Sequence, residues 1–463
     1  MARKQPINAE IPPPDAPAKA ADAPSPSKTE ASSPKSKEKP KAKPVGAAAP
    51  EPVKRPRKPI PAALKAIAGL VIVAVVFLVA AVLGGGDSNL NSGKPAPVPA
   101  PAPKASDEKQ TPTAEAAEEL GYPSFATNNT TRVGGSDPAS TAAGVALAVF
   151  PSATVAQRPA AVAIVDEAEW QGAVAAAVLM AAPAQAPQLV SSSGDLPDPT
   201  TQALEALDPQ GDKVTKGVQA FVIGEAATPE GLKATQIKAS EPAALAAAIA
   251  VERDKLFDGP PQHIVLASED EPGFAMPAAA WAARSGDPVL FSGAKKLPAA
   301  TLQALKRHPK VPVYVLGPSS AISSHVVREV TKVDKAVRRV SGEDPVENAI
   351  ALARFSSGDF GWNINDPGHG FVVARSDSPL DAAISAPLSA SGTWGPLLLT
   401  DDADTLPKAL REYLLDVKPG YTTDPTRAFY NHVWVIGDQE AIDVNQQAAI
   451  DQIADLARIG GEE

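Results

Sequence analysis

Arg132-Val-Gly-Gly-Ser-Asp-Pro138, Gln236-Ile-Lys-Ala-Ser-Glu-Pro242 and Arg339-Val-Ser-Gly-Glu-Asp-Pro345 are three versions of one sequence, starting 104 and 103 residues apart. Later landmarks recur in the same order. Leu196-Pro197, Leu297-Pro298 and Leu406-Pro407 form one set, and Val222-Ile-Gly224, Val315-Leu-Gly317 and Val435-Ile-Gly437 another. A period this long indicates tandem domains and not solenoid turns. Copies are expected over 131–235, 236–336 and 337–457.

Each copy alternates short apolar runs with Ala-rich helical runs. In the first, Asp137 and Pro138 have the residue types of an N-cap and a first helical position, opening a helix to Phe150. Strands are expected at Ala160–Val165, Pro187–Val190 and Ala220–Ile223, with helices at Trp170–Ala182 and Asp198–Leu207. The later copies repeat the strands at His263–Ala267, Pro288–Phe291 and Val313–Leu316, and at Gly370–Ala374, Pro396–Thr400 and His432–Ile436. Continuous apolar strands suit burial on both faces, and strand–helix alternation predicts a mostly parallel sheet with right-handed crossovers. The expected fold is therefore α/β, with three small doubly wound, Rossmann-like units in tandem.

Outward from the repeats the composition changes. Residues 1–59 hold fourteen prolines and 13 Lys+Arg against 6 Asp+Glu, with few large apolar side chains, and are expected to be a disordered basic tail. Its basic patches carry no interleaved aromatic residue, so nucleic acid is not an expected partner. Ala66 to Leu83 is apolar throughout; with Ile60 to Leu64 in front it reaches the roughly 20 residues that span a bilayer. Residues 60–83 are thus expected to form a single transmembrane helix. The basic side precedes it, which places the N-terminus in the cytoplasm and the repeats outside. Residues 84–130, beginning Gly84-Gly85-Gly86 and running through Pro95 to Pro103, are expected to be a flexible and then polyproline-like spacer.

The chain has no Cys, which excludes disulfides, Cys-ligated zinc, iron–sulfur clusters and thiol catalysis. It also contains no His-Glu-x-x-His, G-x-S-x-G, Walker A or G-x-G-x-x-G motif, so no enzyme class and no cofactor is expected. Gly368-His369-Gly370 reads as a loop, and the carboxylates of Asp401, Asp402 and Asp404 fit no EF-hand spacing.

Arg339 to Asp344, Ser378-Pro-Leu-Asp381-Ala-Ala383, Gly395-Pro-Leu-Leu-Leu-Thr400 with Leu406-Pro407, and Tyr314-Val-Leu-Gly317-Pro-Ser-Ser-Ala-Ile-Ser323 together resemble the cell-wall-binding repeat 2 family. The resemblance covers roughly 325 residues. It implies a non-catalytic module on the surface of Gram-positive bacteria that attaches to anionic wall polymers. The sequence departs from the family pattern in several places. Pro138, Pro242 and Pro345 stand where the family often has Arg, Gln236 replaces the opening Arg, and the helix-start Asp persists only as Asp381, with Gly172 and Phe274 at that position in the other copies.

Charge separates the copies. Residues 131–235 carry a net −6, residues 236–335 a net +2 and residues 336–456 a net −10. An acidic ectodomain adsorbs polyanions poorly, so binding needs a local basic site or bridging divalent cations. Candidate polymer contacts are Lys295 and Lys296, in a loop after a strand where α/β ligand sites form. Lys306 and Arg307 at the end of the next helix are further candidates. Arg132 and Arg339, at equivalent first-strand positions, either capture phosphate or pin one copy to the next. Asp137 and Asp344 are read as helix caps. The expected function is membrane-anchored binding of an anionic wall polymer; the alternative is an envelope scaffold that keeps the fold without the polymer site.

Overall fold

The computed structural model describes residues 125–459, apart from Asp258 and Thr393. The expected basic tail, the apolar span at 60–83 and residues 84–124 of the spacer lie outside the described residues. Among the described residues no helix is long and apolar enough to cross a membrane.

The described chain is a mixed α/β structure with mostly parallel sheets. It opens with β1 (Phe125–Ala126), β2 (Thr130–Val133) and helix α1 (Pro138–Val149). Copy one then supplies β3 (Val162–Asp166), β4 (Gln188–Ser191) and β5 (Ala220–Ile223), followed by β6 (Ala234–Ile237). Copy two supplies β7 (Ile264–Ser268), β8 (Val289–Ser292) and β9 (Val313–Leu316), followed by β10 (Val337–Val340). Copy three supplies β11 (Gly370–Arg375), β12 (Leu397–Thr400) and β14 (His432–Ile436), with a two-residue β13 (Gly420–Tyr421) that pairs only with β15 (Ala457–Arg458).

The sheets run β4-β3-β5-β6, β8-β7-β9-β10 and β12-β11-β14-β2-β1. All their pairs are parallel except β1 with β2. Each copy's strands thus take the same order, and the fourth strand comes from the opening segment of another copy. β6 and β10 open copies two and three yet complete the sheets of copies one and two. β2, which opens copy one, completes the sheet of copy three, pairing Thr130 with Val433 and Val133 with Ile436. A fourth strand therefore crosses each boundary of the sequence copies, and the first strand closes the series onto the last. A tandem period sets the length of a unit but not the residue at which a sheet begins.

Strand alternation explains the burial on both faces. Val162, Ile164, Ala220 and Val222 join one apolar cluster, while their neighbours Ala163, Val165, Phe221 and Ile223 join a larger central one. In copy two, Ile264, Leu266, Val313 and Val315 face an outer cluster and Val265, Ala267, Tyr314 and Leu316 the central one. The middle helix of each copy lies in that central cluster and is broken at an equivalent place. α2 (Trp170–Ala176) passes into a 3-10 turn at Ala177, Pro272–Ala275 gives way to Pro277–Ser285, and Pro379–Ile384 to Ala386–Ala390. Ala173, Ala175, Ala278, Ala279, Ala282, Ala382 and Ala383 are all buried there. Methyl side chains let three helices meet closely around one centre, which is the physical use of the chain's high alanine content.

Candidate binding cleft and the copy junctions

Each unit's third strand ends in a glycine with positive φ: Gly224 at 63°, Gly317 at 106° and Gly437 at 92°. Residues with side chains avoid this region. The turn aims the glycine carbonyl at the adjoining fourth strand. There the equivalent residue of the next copy donates to it. Gln236 Nε2 donates to Gly224 O at 2.7 Å, Arg339 donates to Gly317 O and, at 2.6 Å, to Ile322 O, and Arg132 donates to Gly437 O at 2.9 Å. Arg132 goes further, donating to Asp438 O, to Ile442 O at 2.6 Å and to Gln447 Oε1 at 3.0 Å, with 2 % of its surface exposed. Burial lowers the pKa of both arginines from the usual value, Asp438 and Asp443 opposing this at Arg132. The guanidinium groups are therefore satisfied mainly by backbone carbonyls, at the junctions where one copy's strand enters another's sheet. Asp137 and Asp344 cap their helices, accepting from Ser140 N at 2.9 Å and Glu347 N at 2.8 Å.

Lys295 and Lys296 lie elsewhere. The loop from Gly293 leaves the carboxyl end of β8 and is held by Ser323 N donating to Ala294 O and Ala294 N donating to Asp270 Oδ2 at 3.0 Å. Both lysines are exposed on the rim of a cleft of about 790 Å³, a volume ordinary for ligand clefts. Glu241, Glu269 and Asp270 line the same cleft, Glu269 and Asp270 lying against Gly293 at the base of the lysine loop. Burial pushes the Glu269 carboxyl up from its usual value, with Asp270 and Glu241 adding to the effect. The sequence reading picked out the lysines but passed over these carboxylates. The signal was present as Ser268-Glu-Asp-Glu271, an acidic run directly after β7.

Lys306 and Arg307 do not join Lys295 and Lys296. They close helix Ala299–Arg307, whose nine residues span about 13 Å, and Arg307 reaches Asp254 at 4.0 Å and Ala247 O at 3.5 Å on another helix. The corresponding loops of the other copies also differ. Copy one has Ser192-Ser-Gly-Asp195, and copy three has Asp401-Asp-Ala-Asp404, where Asp402 Oδ1 accepts from the backbone of Asp404 and Thr405. Among the described residues no three His, Asp or Glu side chains are grouped to hold a metal ion.

The family's helix-start Asp position diverges in three dimensions as well. Asp381 in copy three is held near Asp438 and Asp377, and its pKa is pushed up to about 6, first by burial. In copy two Phe274 fills the place, packed beside Gly317. In copy one Gly172 stands there with Leu245 and Ile223 close against it, and Glu169, three residues earlier, places its carboxylate beside Gly224. Glu169 Oε2 is buried there without a hydrogen-bond partner, and burial raises the group's pKa.

The family described as Cell wall binding domain 2 (CWB2) matches residues 237–327 and 339–446, stretches that fall in copies two and three. No curated protein sequence matches the chain. Among solved structures, Cwp6 from Clostridium difficile is similar with a TM-score of 0.57 at 20% identity, covering 70% of this chain and 47% of that one. Cwp8 from Clostridium difficile gives 0.54 at 19% identity, covering 71% and 52%. The chain spans about half the length of these two proteins, and at such identities the likeness is one of fold.

Proposed function

We propose that this chain is a non-catalytic cell-wall-binding protein whose middle copy contacts an anionic wall polymer through Lys295 and Lys296. The observation that carries this is the placement of two exposed ammonium groups on the rim of a ligand-sized cleft, inside a region that matches the CWB2 family. Two further features support a single basic site. The equivalent loops of copies one and three present no lysine, and the guanidinium groups of Arg132 and Arg339 are spent at the junctions. In this reading those arginines hold the fold together, and Lys306 and Arg307 serve the helix end they close. The carboxylates that share the cleft favour a polymer that offers both phosphates and cationic or hydroxyl groups, or one whose phosphates are bridged by a divalent cation. The apolar span at 60–83 would anchor the chain in the membrane, with the spacer carrying the repeats out to the wall.

The test is co-sedimentation of the full chain with isolated walls. Lys295→Glu together with Lys296→Glu should weaken binding at least about tenfold, or about 1.4 kcal/mol, and raised salt should weaken it too. Lys306→Glu with Arg307→Glu should leave it within a factor of about two. Removal of the anionic polymers from the walls should abolish sedimentation. Undiminished binding to stripped walls, or no sedimentation of the unaltered chain, would refute the proposal, and the latter would favour the scaffold.

A further inference from the structure

Three of the chain's five tryptophans, Trp281, Trp362 and Trp394, line one cleft of about 340 Å³ between copies two and three. It lies by the amino ends of β7 and β8, whereas the lysine cleft lies at their carboxyl ends. Its walls are fixed from both sides. Phe360 and Trp362 stand on the loop of copy three that precedes β11, the longest of the three equivalent loops. Phe360 stacks on Tyr314 of copy two at 3.6 Å, and Trp362 meets Trp281 edge-on at 5.6 Å. Asp287 Oδ2 accepts from Trp281 Nε1 at 3.0 Å and lies 3.1 Å from His263 Nδ1, which holds the back of the cleft.

The front is different. Trp394 is 37% exposed, lies at a shallow 25° to Trp362 with 6.2 Å between ring centres, and carries the Arg284 guanidinium at 4.3 Å. Asp359 is exposed on the same rim. The Trp362 indole N–H is buried without an acceptor. Unlike the exposed rings of Phe125, Phe429 and Tyr430, Trp394 sits at a cleft among polar groups, Arg284, Ser285 and Asp359.

We infer that this cleft binds a pyranose unit of a glycan. The apolar C–H face of a sugar ring suits an indole face, and its outward hydroxyls suit a rim that offers Arg284 and the Asp359 carboxylate. A hydroxyl oxygen admitted to this wall would also supply the acceptor that Trp362 lacks. Two carboxylates and one guanidinium at the cleft disfavour a phosphate-rich strand, so this site takes the neutral part of a wall glycan. The inference goes beyond the lysine cleft and uses different residues at the opposite end of the sheet.

The experiment titrates the full chain with chitotetraose, cellotetraose and mannotetraose, following tryptophan fluorescence and calorimetric heat. At least one sugar should bind at millimolar concentration and perturb the fluorescence, and Trp394→Ala should weaken it at least about tenfold with an unchanged melting temperature. Chitotetraose alone would point to the N-acetylated backbone of peptidoglycan, and the other two to a neutral wall polysaccharide. Asp359→Ala, at an exposed position, should weaken binding severalfold and serves as a second readout if Trp394→Ala fails to fold. The Lys295→Glu, Lys296→Glu variant should bind these sugars as the unaltered chain does, which separates this site from the lysine cleft. Absence of binding by all three sugars, or binding unaltered by both Trp394→Ala and Asp359→Ala, would overturn the inference.

Discussion

Removing the Arg132 side chain tests how the first strand of the repeats is locked to the last sheet. Arg132→Ala deletes the donors to Gly437 O, Asp438 O, Ile442 O and Gln447 Oε1, at a site with 2 % exposure. A buried acceptor stripped of its partner costs about 1–3 kcal/mol, and these four do not add fully because water enters the space the side chain vacates. The expected loss is about 3–5 kcal/mol, taking hydrogen bonds from a charged donor at about 1.5–3 kcal/mol each and discounting for that relaxation. Arg339→Ala strips Gly317 O and Ile322 O and should cost about 2–3 kcal/mol; Gln236→Ala strips Gly224 O alone and should cost about 1 kcal/mol. Urea unfolding of the three variants, with the slope of each transition compared, provides the measurement. Equal losses, or a larger loss for Gln236→Ala than for Arg132→Ala, would refute the idea that these side chains staple copy to copy in proportion to the carbonyls they satisfy.

Asp381 gives a pH prediction. Its folded pKa of about 6 lies above the ordinary carboxylate value, so the folded state binds the proton more tightly, and stability falls as pH rises from about 4 to 6. Asp381→Asn should therefore be more stable than the unaltered chain by up to about 2–3 kcal/mol at pH 7.5, with the difference gone near pH 4, as read by urea unfolding at the two pH values. Equal stability at both would remove burial as the cause. Helix capping offers a contrast between copies. Asp137→Ala and Asp344→Ala should each cost about 1 kcal/mol, whereas Glu241→Ala, whose side chain makes no cap bond, should cost a few tenths at most when melting is compared.

The strands and helices were legible in the sequence because local chemistry dictates them. Apolar runs of four to six residues set between Asp-Pro helix starts, Leu-Pro turns and Val-hydrophobic-Gly ends read directly as buried strands and capped helices. The observed Asp198–Leu207, Val313–Leu316 and His432–Ile436 coincide with the expected spans. The Ala-rich middle helices were legible too; their breaks at Met276 and Ser385 coincide with Pro277 and Pro387, whereas that at Ala177 has no such local signal. Lys295 and Lys296 could be singled out by charge and by their place after a strand. That Lys306 and Arg307 end the next helix was legible too; that Glu241 would line the same cleft as the lysines depends on the crossover geometry.

By itself the sequence determined the repeat, its length, the order of elements within it and the α/β class, since periodicity, capping and apolar runs act over a few residues. Only the tertiary structure decided where each sheet ends. β2 pairs with β14 across some 300 residues, a contact no local pattern encodes, and Arg132 and Arg339 take their role from the carbonyls that this pairing brings to them. The same holds for the tryptophan cleft, whose members are spread from Trp281 to Trp394 and meet only because a long loop of copy three packs on Tyr314 of copy two. Local preference chooses the elements; burial of apolar faces shared among three copies chooses their partners.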